Sequence, residues 1–159
     1  MRFLWFGRKK PPTLLASTEL EAIQEESYSV SGFVCETNPL AGAKGSQLEA
    51  ATIHSCILSL LKGASSPADL AAQEFFQERE AIVLPIVDYS FAPDRGFSAR
   101  VVDGDITRTV LMGSAEVIVR AAAPFSPAIA DAVAQNPQCF VAAIDGVAYA
   151  SFAVVSELS

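Results

Sequence analysis

Apolar residues recur at helical spacing in several stretches of this chain, and the clearest of these is residues 47–61. Gly63, just beyond its end, is a residue type that commonly terminates a helix. Two Ser-Pro pairs mark further helix starts, because Ser caps a first turn and Pro fits its first position. The other predicted helices pass through Leu20 and Ile23 after the Thr18–Glu21 capping box, run from Ser66-Pro67 toward Phe76, cover about residues 115–122, and open at Ser126-Pro127.

Two Asp-Gly pairs, Asp103-Gly104 and Asp145-Gly146, each stand between apolar segments. Asp-Gly in that setting is the strongest short-range signal for a β-hairpin. Residues 28–34 and 81–87 are further strand candidates, and Pro85 places the second at a sheet edge or bulge. We therefore expect an α+β fold, with an antiparallel sheet built from hairpins and helices packed on it.

The length suits one domain. A chain of 159 residues can bury a substantial core, and we expect a basic, aromatic tail and linker at residues 1–17 followed by one domain at residues 18–159. Hydrophobic residues make up 51% of the chain. Charged residues nevertheless interrupt every apolar stretch well short of the roughly 18 residues of a membrane-spanning helix, so we expect a cytoplasmic location.

Charge is unevenly divided along the chain. The formal net charge is −7, although the first ten residues hold four basic side chains and no acidic one. Nucleic acid is not an expected partner, because affinity for the phosphate backbone depends on Lys and Arg. For the basic tip, residues 1–10, two interpretations stay open: a disordered tail, or contact with an anionic membrane surface.

The chemistry-bearing residues are sparse. Cys35, Cys56 and Cys139 are far apart and form no C-x-x-C pair, and His54 is the single histidine, so neither a disulfide framework nor a metal site is expected. The chain contains no P-loop motif and no G-x-S-x-G nucleophile motif. No catalytic residue is predicted.

Four segments follow one another between residue 91 and residue 158, and their order is informative. They are Phe91 through Arg95-Gly96, the Asp103-Gly104 hairpin, Met112-Gly113-Ser114 before a helix, and the Asp145-Gly146 hairpin. This order resembles the second half of the nucleotide-binding (N) domain of P-type ATPases, and the heavy-metal and potassium-importing pumps are the most similar. In the first half, residues 52–56 resemble the S-E-H-P-L helix of heavy-metal pumps, and residues 35–41 stand where the D-K-T-G-T-L-T phosphorylation loop would be.

The resemblance implies a nucleotide site, and each of its residues also has a simpler interpretation. Phe91 would stack on adenine, or be an ordinary core residue; His54 would contact the base, or fill a structural position. Arg95 and Gly96 would approach the phosphates, or form a solvated turn. Gly113 and Ser114 would keep the nucleotide-binding turn, or cap the next helix.

The chain also departs from the family pattern at positions that matter. Asp94 replaces a Gly, Met112 a nucleotide-binding Lys, Ser55 a Pro and Ile53 a Glu, while Cys35 stands in place of the phosphorylated Asp. A thiol cannot form the acyl phosphate of the pumping cycle. We therefore expect a stand-alone N-domain homologue that binds ATP weakly and is not a pump. The alternatives are an interaction or regulatory module with a protein partner, and a fragment of a longer pump.

Overall fold

The computed structural model describes residues 27–40, 47–121 and 123–157, and a compact unit spans Tyr28–Val155. The helix predicted through Leu20 and Ile23, the basic tip and most of the loop after Leu40 lie outside the described residues. In chain order the described elements are β1 (Ser27–Cys35), α1 (Ala50–Leu61), α2 (Pro67–Gln77), β2 (Ile86–Ala92), β3 (Gly96–Asp103), β4 (Ile106–Ser114), α3 (Ala115–Arg120), α4 (Pro127–Gln135), β5 (Phe140–Ile144) and β6 (Val147–Glu157).

The described strands form one six-stranded antiparallel sheet in the order β1-β6-β5-β4-β3-β2. Strands β1 and β2 are therefore the two edges of the part of the sheet that the structure describes. The α+β class, the antiparallel sheet and the helices packed on it are confirmed.

Each face of the sheet carries its own apolar cluster, because side chains alternate between the faces along a strand. Helices α1 and α2 cover one face, called here the α1–α2 face, and helices α3 and α4 cover the α3–α4 face. The first cluster includes Ile57, Phe76, Val101 and Phe152, and the second includes Ile118, Ile129 and Val141. A side chain on a regularly paired strand position can thus be assigned to one face by its register; the pairing is irregular between Val87 and Ser90 and between Ala142 and Ala143.

Both predicted hairpins are present, and their turns differ. Asp145 and Gly146 both have positive φ, 51° and 83°, which is the pattern of a type I′ turn. In the other hairpin Asp103 pairs with Ile106, so the two-residue loop is Gly104-Asp105. The turn therefore lies one residue later than Asp103-Gly104 predicts, and Gly104, the first loop residue, has the positive φ of 64° that a type II′ turn requires there.

The strand predicted at residues 81–87 is displaced. Strand β2 is Ile86–Ala92, an edge strand of the described sheet as Pro85 indicates, but the chain before it is not a strand. Two backbone amides of this preceding segment are hydrogen-bonded to helix α1 instead of to a strand. The N–H of Ile82 donates to Ser55 Oγ at 3.0 Å, and that of Leu84 donates to Ser59 Oγ at 2.8 Å. Two serine hydroxyls on α1 take the place of a partner strand.

The helix boundaries follow local chemistry closely. Ser66, Ser114 and Ser126 each cap a helix by accepting a hydrogen bond from the amide three residues on. Helix α1 begins at Ala50, three residues later than predicted. At its other end, Gln73 Nε2 donates to the carbonyls of Leu61 and Ala64, which secures α2 against α1.

Candidate functional site

The Phe91 ring lies exposed near the end of the β2–β3 hairpin. Its side chain is 53% exposed, so it is not a core residue. Phe91 pairs with Phe97 across the two strands, which puts both rings on the α1–α2 face, with centroids 4.7 Å apart. A planar ligand could therefore stack on a ring that is already supported from one side.

Two glycines bring the backbones of β3 and β4 together beside this hairpin end. Gly96 has φ +76°, and a Cβ there would lie 2.4 Å from the carbonyl oxygen of Met112. A Cβ on Gly113 would lie 3.3 Å from the Cα of Gly96. Gly96 and Gly113 are thus needed for the approach of one strand to the next, whether or not a ligand binds.

A groove opens on the α3–α4 face next to the same hairpin end. Its volume is about 350 Å³, and it is lined mainly by Ser90, Asp94, Arg95, Ser98, Leu111 and Arg120. Arg120 Nη2 donates to the backbone carbonyl of Asp94 at 3.2 Å, so the last turn of α3 is tied to the hairpin end. This space is called the Arg95–Arg120 groove below. Arg120 has no part in the sequence prediction, because nothing in the chain indicates that α3 returns to this hairpin.

Ser114 has a structural partner. Its Oγ accepts a hydrogen bond from the amide of Val117 at 3.3 Å, as the helix-cap interpretation predicts. The hydroxyl can still donate to a ligand.

His54 lies in an aromatic cluster away from these residues. Its ring centroid is 5.4 Å from that of Phe33 and 5.9 Å from that of Phe76. Neither ring nitrogen makes a hydrogen bond to a described residue. Burial lowers the pKa of His54, as does the Arg79 cation, while the backbone of Arg79 partly offsets this by favouring the protonated ring.

His54 and Phe91 make their ring contacts in different parts of the structure. His54 is on α1 and contacts Phe33 and Phe76, whereas Phe91 is on β2 and contacts Phe97. The structure brings Phe91, Arg95, Gly96 and Gly113 to one region of the sheet, and it leaves His54 in another.

Two further positions singled out by the sequence are Met112, which is buried, and Cys35, which is partly buried. Met112 is 1% exposed on the α1–α2 face, and the cavity that it lines is only about 10 Å³, about the volume needed for one water. Cys35 ends β1, and burial, reinforced by the charge of Glu36, raises the pKa of its thiol to about 11. A neutral thiol is a poor nucleophile at pH 7.

A larger opening, of about 530 Å³, lies between β1 and α4. Asp131 is the charged residue of its lining, and no basic side chain contributes to it. An anionic ligand is therefore better accommodated in the Arg95–Arg120 groove.

Within the described ranges there is no group of three His, Cys, Asp or Glu residues placed to hold a metal ion. The helices in those ranges are all too short or too polar to cross a membrane.

No protein-family model matches this chain, and no curated protein matches it in sequence. Solved structures do match. The N-domain of HMA6, a copper-transporting P-type ATPase, superimposes with a TM-score of 0.58 at 15% identity, over 80% of this chain and 98% of that one. The chain has an N-domain-like fold.

Two other solved structures agree with this assignment. The N-domain of HMA8, another copper-transporting P-type ATPase, matches with a TM-score of 0.54 at 18% identity, over 79% of this chain and 98% of that one. The catalytic domain of the CPx-ATPase CopB-B gives 0.55 at 14% identity over 84% of this chain. This chain covers only 39% of that structure. The expectation of an N-domain-like fold is confirmed, and identities this low establish the fold alone.

Proposed function

We propose that this N-domain-like protein binds ATP weakly at the end of the β2–β3 hairpin and is not itself a pump. The observation that supports it most directly is the exposed Phe91 ring, which is backed by Phe97 and stands beside the close backbone approach at Gly96. The family that the chain resembles holds adenine against an aromatic or histidine side chain.

The departures from the family pattern argue for low affinity. Stacking of a base on an aromatic ring contributes about 1–3 kcal/mol, whereas a dissociation constant of 1 mM already corresponds to about 4.1 kcal/mol. Arg95 at the hairpin end adds positive charge for the phosphates, and Asp94 beside it opposes them. Met112 contributes no charge, and the His54 ring packs against Phe33 and Phe76 rather than against Phe91. Millimolar affinity is the expected range.

A titration with ATP, followed by backbone amide shifts at constant ionic strength, tests the proposal. We expect shifts at Phe91, Gly96 and their neighbours, and their loss in Phe91→Ala. Ile106→Ala is the matched control: that side chain is also 53% exposed but lies at the other end of β3–β4, about 20 Å away along the strand. Unshifted amides around Phe91 at millimolar ATP, or an unchanged titration in Phe91→Ala, would rule the site out.

Binding without catalysis is the proposed role. The position that resembles the phosphorylated Asp holds Cys35, whose thiol is partly buried and neutral. Incubation with γ-labelled ATP should leave no acid-stable label on the protein, and a covalent label would contradict this part of the proposal.

The alternative, an interaction module, is favoured by a separate observation. Strand β2 and the segment before it expose a series of apolar side chains: Ile82, Val83, Val87, Tyr89 and Phe91. A free strand edge with apolar neighbours is a common docking surface for a peptide strand. Recovery of one protein partner that is lost in Val87→Lys, together with no response to ATP, would establish this function in place of nucleotide binding.

A further inference from the structure

The Arg95–Arg120 groove is lined by side-chain hydrogen-bond donors that have few or no acceptors among the described residues. The guanidinium of Arg95 makes no hydrogen bond or ion pair to a described residue, and that of Arg120 makes only its bond to the Asp94 carbonyl. The hydroxyls of Ser90 and Ser98, which pair across β2 and β3 on this face, likewise have no partner among the described residues.

Other arginines of the same strands are paired. Arg100, two residues after Ser98 on the same face, contacts the Asp88 carboxylate, and Arg108 lies 3.5 Å from that of Asp103. Arg95 and Arg120 thus differ from their neighbours in having no carboxylate partner within the described residues. The Asp94 carboxylate lines the groove, so two positive charges and one negative charge meet there.

We propose that this groove is a binding site for the phosphoryl group of a small phosphate compound. A guanidinium fits phosphate oxygens with two parallel hydrogen bonds, and serine hydroxyls complete such contacts. The volume of about 350 Å³ accommodates a phosphate or diphosphate group, and Leu111 and Val117 supply an apolar floor. Because the two arginines outweigh Asp94 and leave the groove with a net positive charge, a multiply charged phosphate is attracted more strongly than a singly charged anion.

The site is distinct from the proposed nucleotide site. Phe91 lies on the α1–α2 face, and the groove opens on the α3–α4 face, where Ser90, Ser98 and Leu111 point. Binding in the groove does not need the Phe91 ring, and stacking on that ring does not need Arg120. Arg95 supplies positive charge in both proposals, so Phe91 is the residue that reports the nucleotide site and Arg120 the residue that reports the groove.

A titration with inorganic diphosphate, at ionic strength held constant with sodium chloride, tests the groove. Backbone amide and arginine Nε–H shifts report the site, and we expect them at Ser98, Leu111 and Arg120. Arg120→Gln should weaken binding at least tenfold. The control Arg100→Gln removes the same charge from the same face at a paired arginine, and it should leave the affinity within twofold of the wild type. Asp94→Asn should strengthen binding.

Four results would overturn the inference: no shift in the wild type, equal weakening by Arg100→Gln and Arg120→Gln, equal affinity for sulfate, or no change in Arg120→Gln. If Arg120→Gln loses its folded spectrum, Arg95→Gln on the hairpin end replaces it with the same expected loss. Adenosine, which has no phosphate, separates the two proposals. A response to adenosine at Phe91 without a response to diphosphate removes the groove alone, and the reverse removes the nucleotide site alone.

Discussion

Burial determines the chemistry of several ionisable side chains. Burial raises the pKa of Cys56 to about 12 and that of Cys35 to about 11, while it lowers that of His54. All three groups are therefore neutral at pH 7. They fill space in or beside the α1–α2 cluster, and the contacts of His54 are those that its structural interpretation predicts.

His54 makes the stability of the fold depend on pH. Its pKa is lower in the folded chain than in the unfolded chain, so the unfolded chain takes up a proton first as pH falls below about 6.5. The stability contribution is fully present above that pH and is lost as pH falls toward the folded pKa. Urea denaturation at pH 7.5 and pH 5 should show a larger loss for the wild type than for His54→Leu. Equal losses in the two proteins would contradict this.

Gly96 is constrained more tightly than any other described glycine. Gly104→Ala should cost about 1–2 kcal/mol, since its φ is positive but no atom lies within 4 Å of the added Cβ. In Gly96→Ala the added Cβ would also collide with the Met112 carbonyl. Overpacking of this kind lowers the free energy of unfolding by about 1–3 kcal/mol more. Urea denaturation of both variants measures the difference. Equal losses would mean that the hairpin end adjusts freely.

At the scale of elements, helix α1 both packs on the sheet and forms hydrogen bonds with the segment that precedes β2. Ser59 Oγ accepts from the Leu84 amide at 2.8 Å and donates to the Ser55 carbonyl at 2.6 Å, and Ser55 Oγ holds the Ile82 amide. These bonds keep the chain before β2 against the helix. They also set where β2 starts, and so where Phe91 falls on the hairpin.

Ser59→Ala should therefore destabilise the fold by about 1–3 kcal/mol, because the partly buried Leu84 amide loses its acceptor. Ser65→Ala, in the exposed loop between α1 and α2, is the control and should lie within about 0.5 kcal/mol of the wild type. Thermal unfolding distinguishes the two. A Ser59→Ala protein as stable as the control would show that water replaces the hydroxyl.

Elements with local signals were predictable from the sequence. The Ser-Pro caps and the Asp-Gly turns specify their own backbone conformation, so α2, α4 and the β5–β6 hairpin lie where they are expected. The start of β2 was predicted wrongly because its determinants, Ser55 and Ser59, are about 25 residues away in sequence. The groove was missed for the same reason: Ser98 and Arg120 meet only through the tertiary fold.

For the whole molecule, residues that the resemblance assigns to one nucleotide site lie in different parts of the structure. The resemblance to N-domains implies one site containing His54, Phe91 and the glycine turns. In the structure His54 contacts Phe33 and Phe76 while Phe91 contacts Phe97, and Phe91 and the groove lined by Arg120 lie on opposite faces of the sheet. The N-domain-like scaffold was predictable, because short local sequence motifs determine the order of the hairpins and the positions of the helix caps. The residues that share a pocket depend on register and on face, which no single motif encodes.

The filled α1–α2 cluster gives a test at this scale. Met112→Lys would place at this position the residue that many P-type ATPases carry in the turn that Met112-Gly113-Ser114 resembles. With Met112 1% exposed and about 10 Å³ of free space nearby, the ammonium group would be buried in the core. Desolvation shifts of three or more pKa units correspond to about 4 kcal/mol or more. We expect a large loss of stability in thermal unfolding and no gain in ATP affinity; a stable variant with tighter ATP binding would contradict this.

The burial of Met112 also limits which substitutions this chain can accept. Domains are commonly stable by about 5–15 kcal/mol, and a single buried charge consumes much of that margin. A charged side chain at position 112 is therefore not reachable in one viable step. Compensating changes in the helices that cover it would have to come first. New ligand chemistry in this protein is therefore expected to arise at its hairpin end and on its open sheet face, where substitutions leave the core intact.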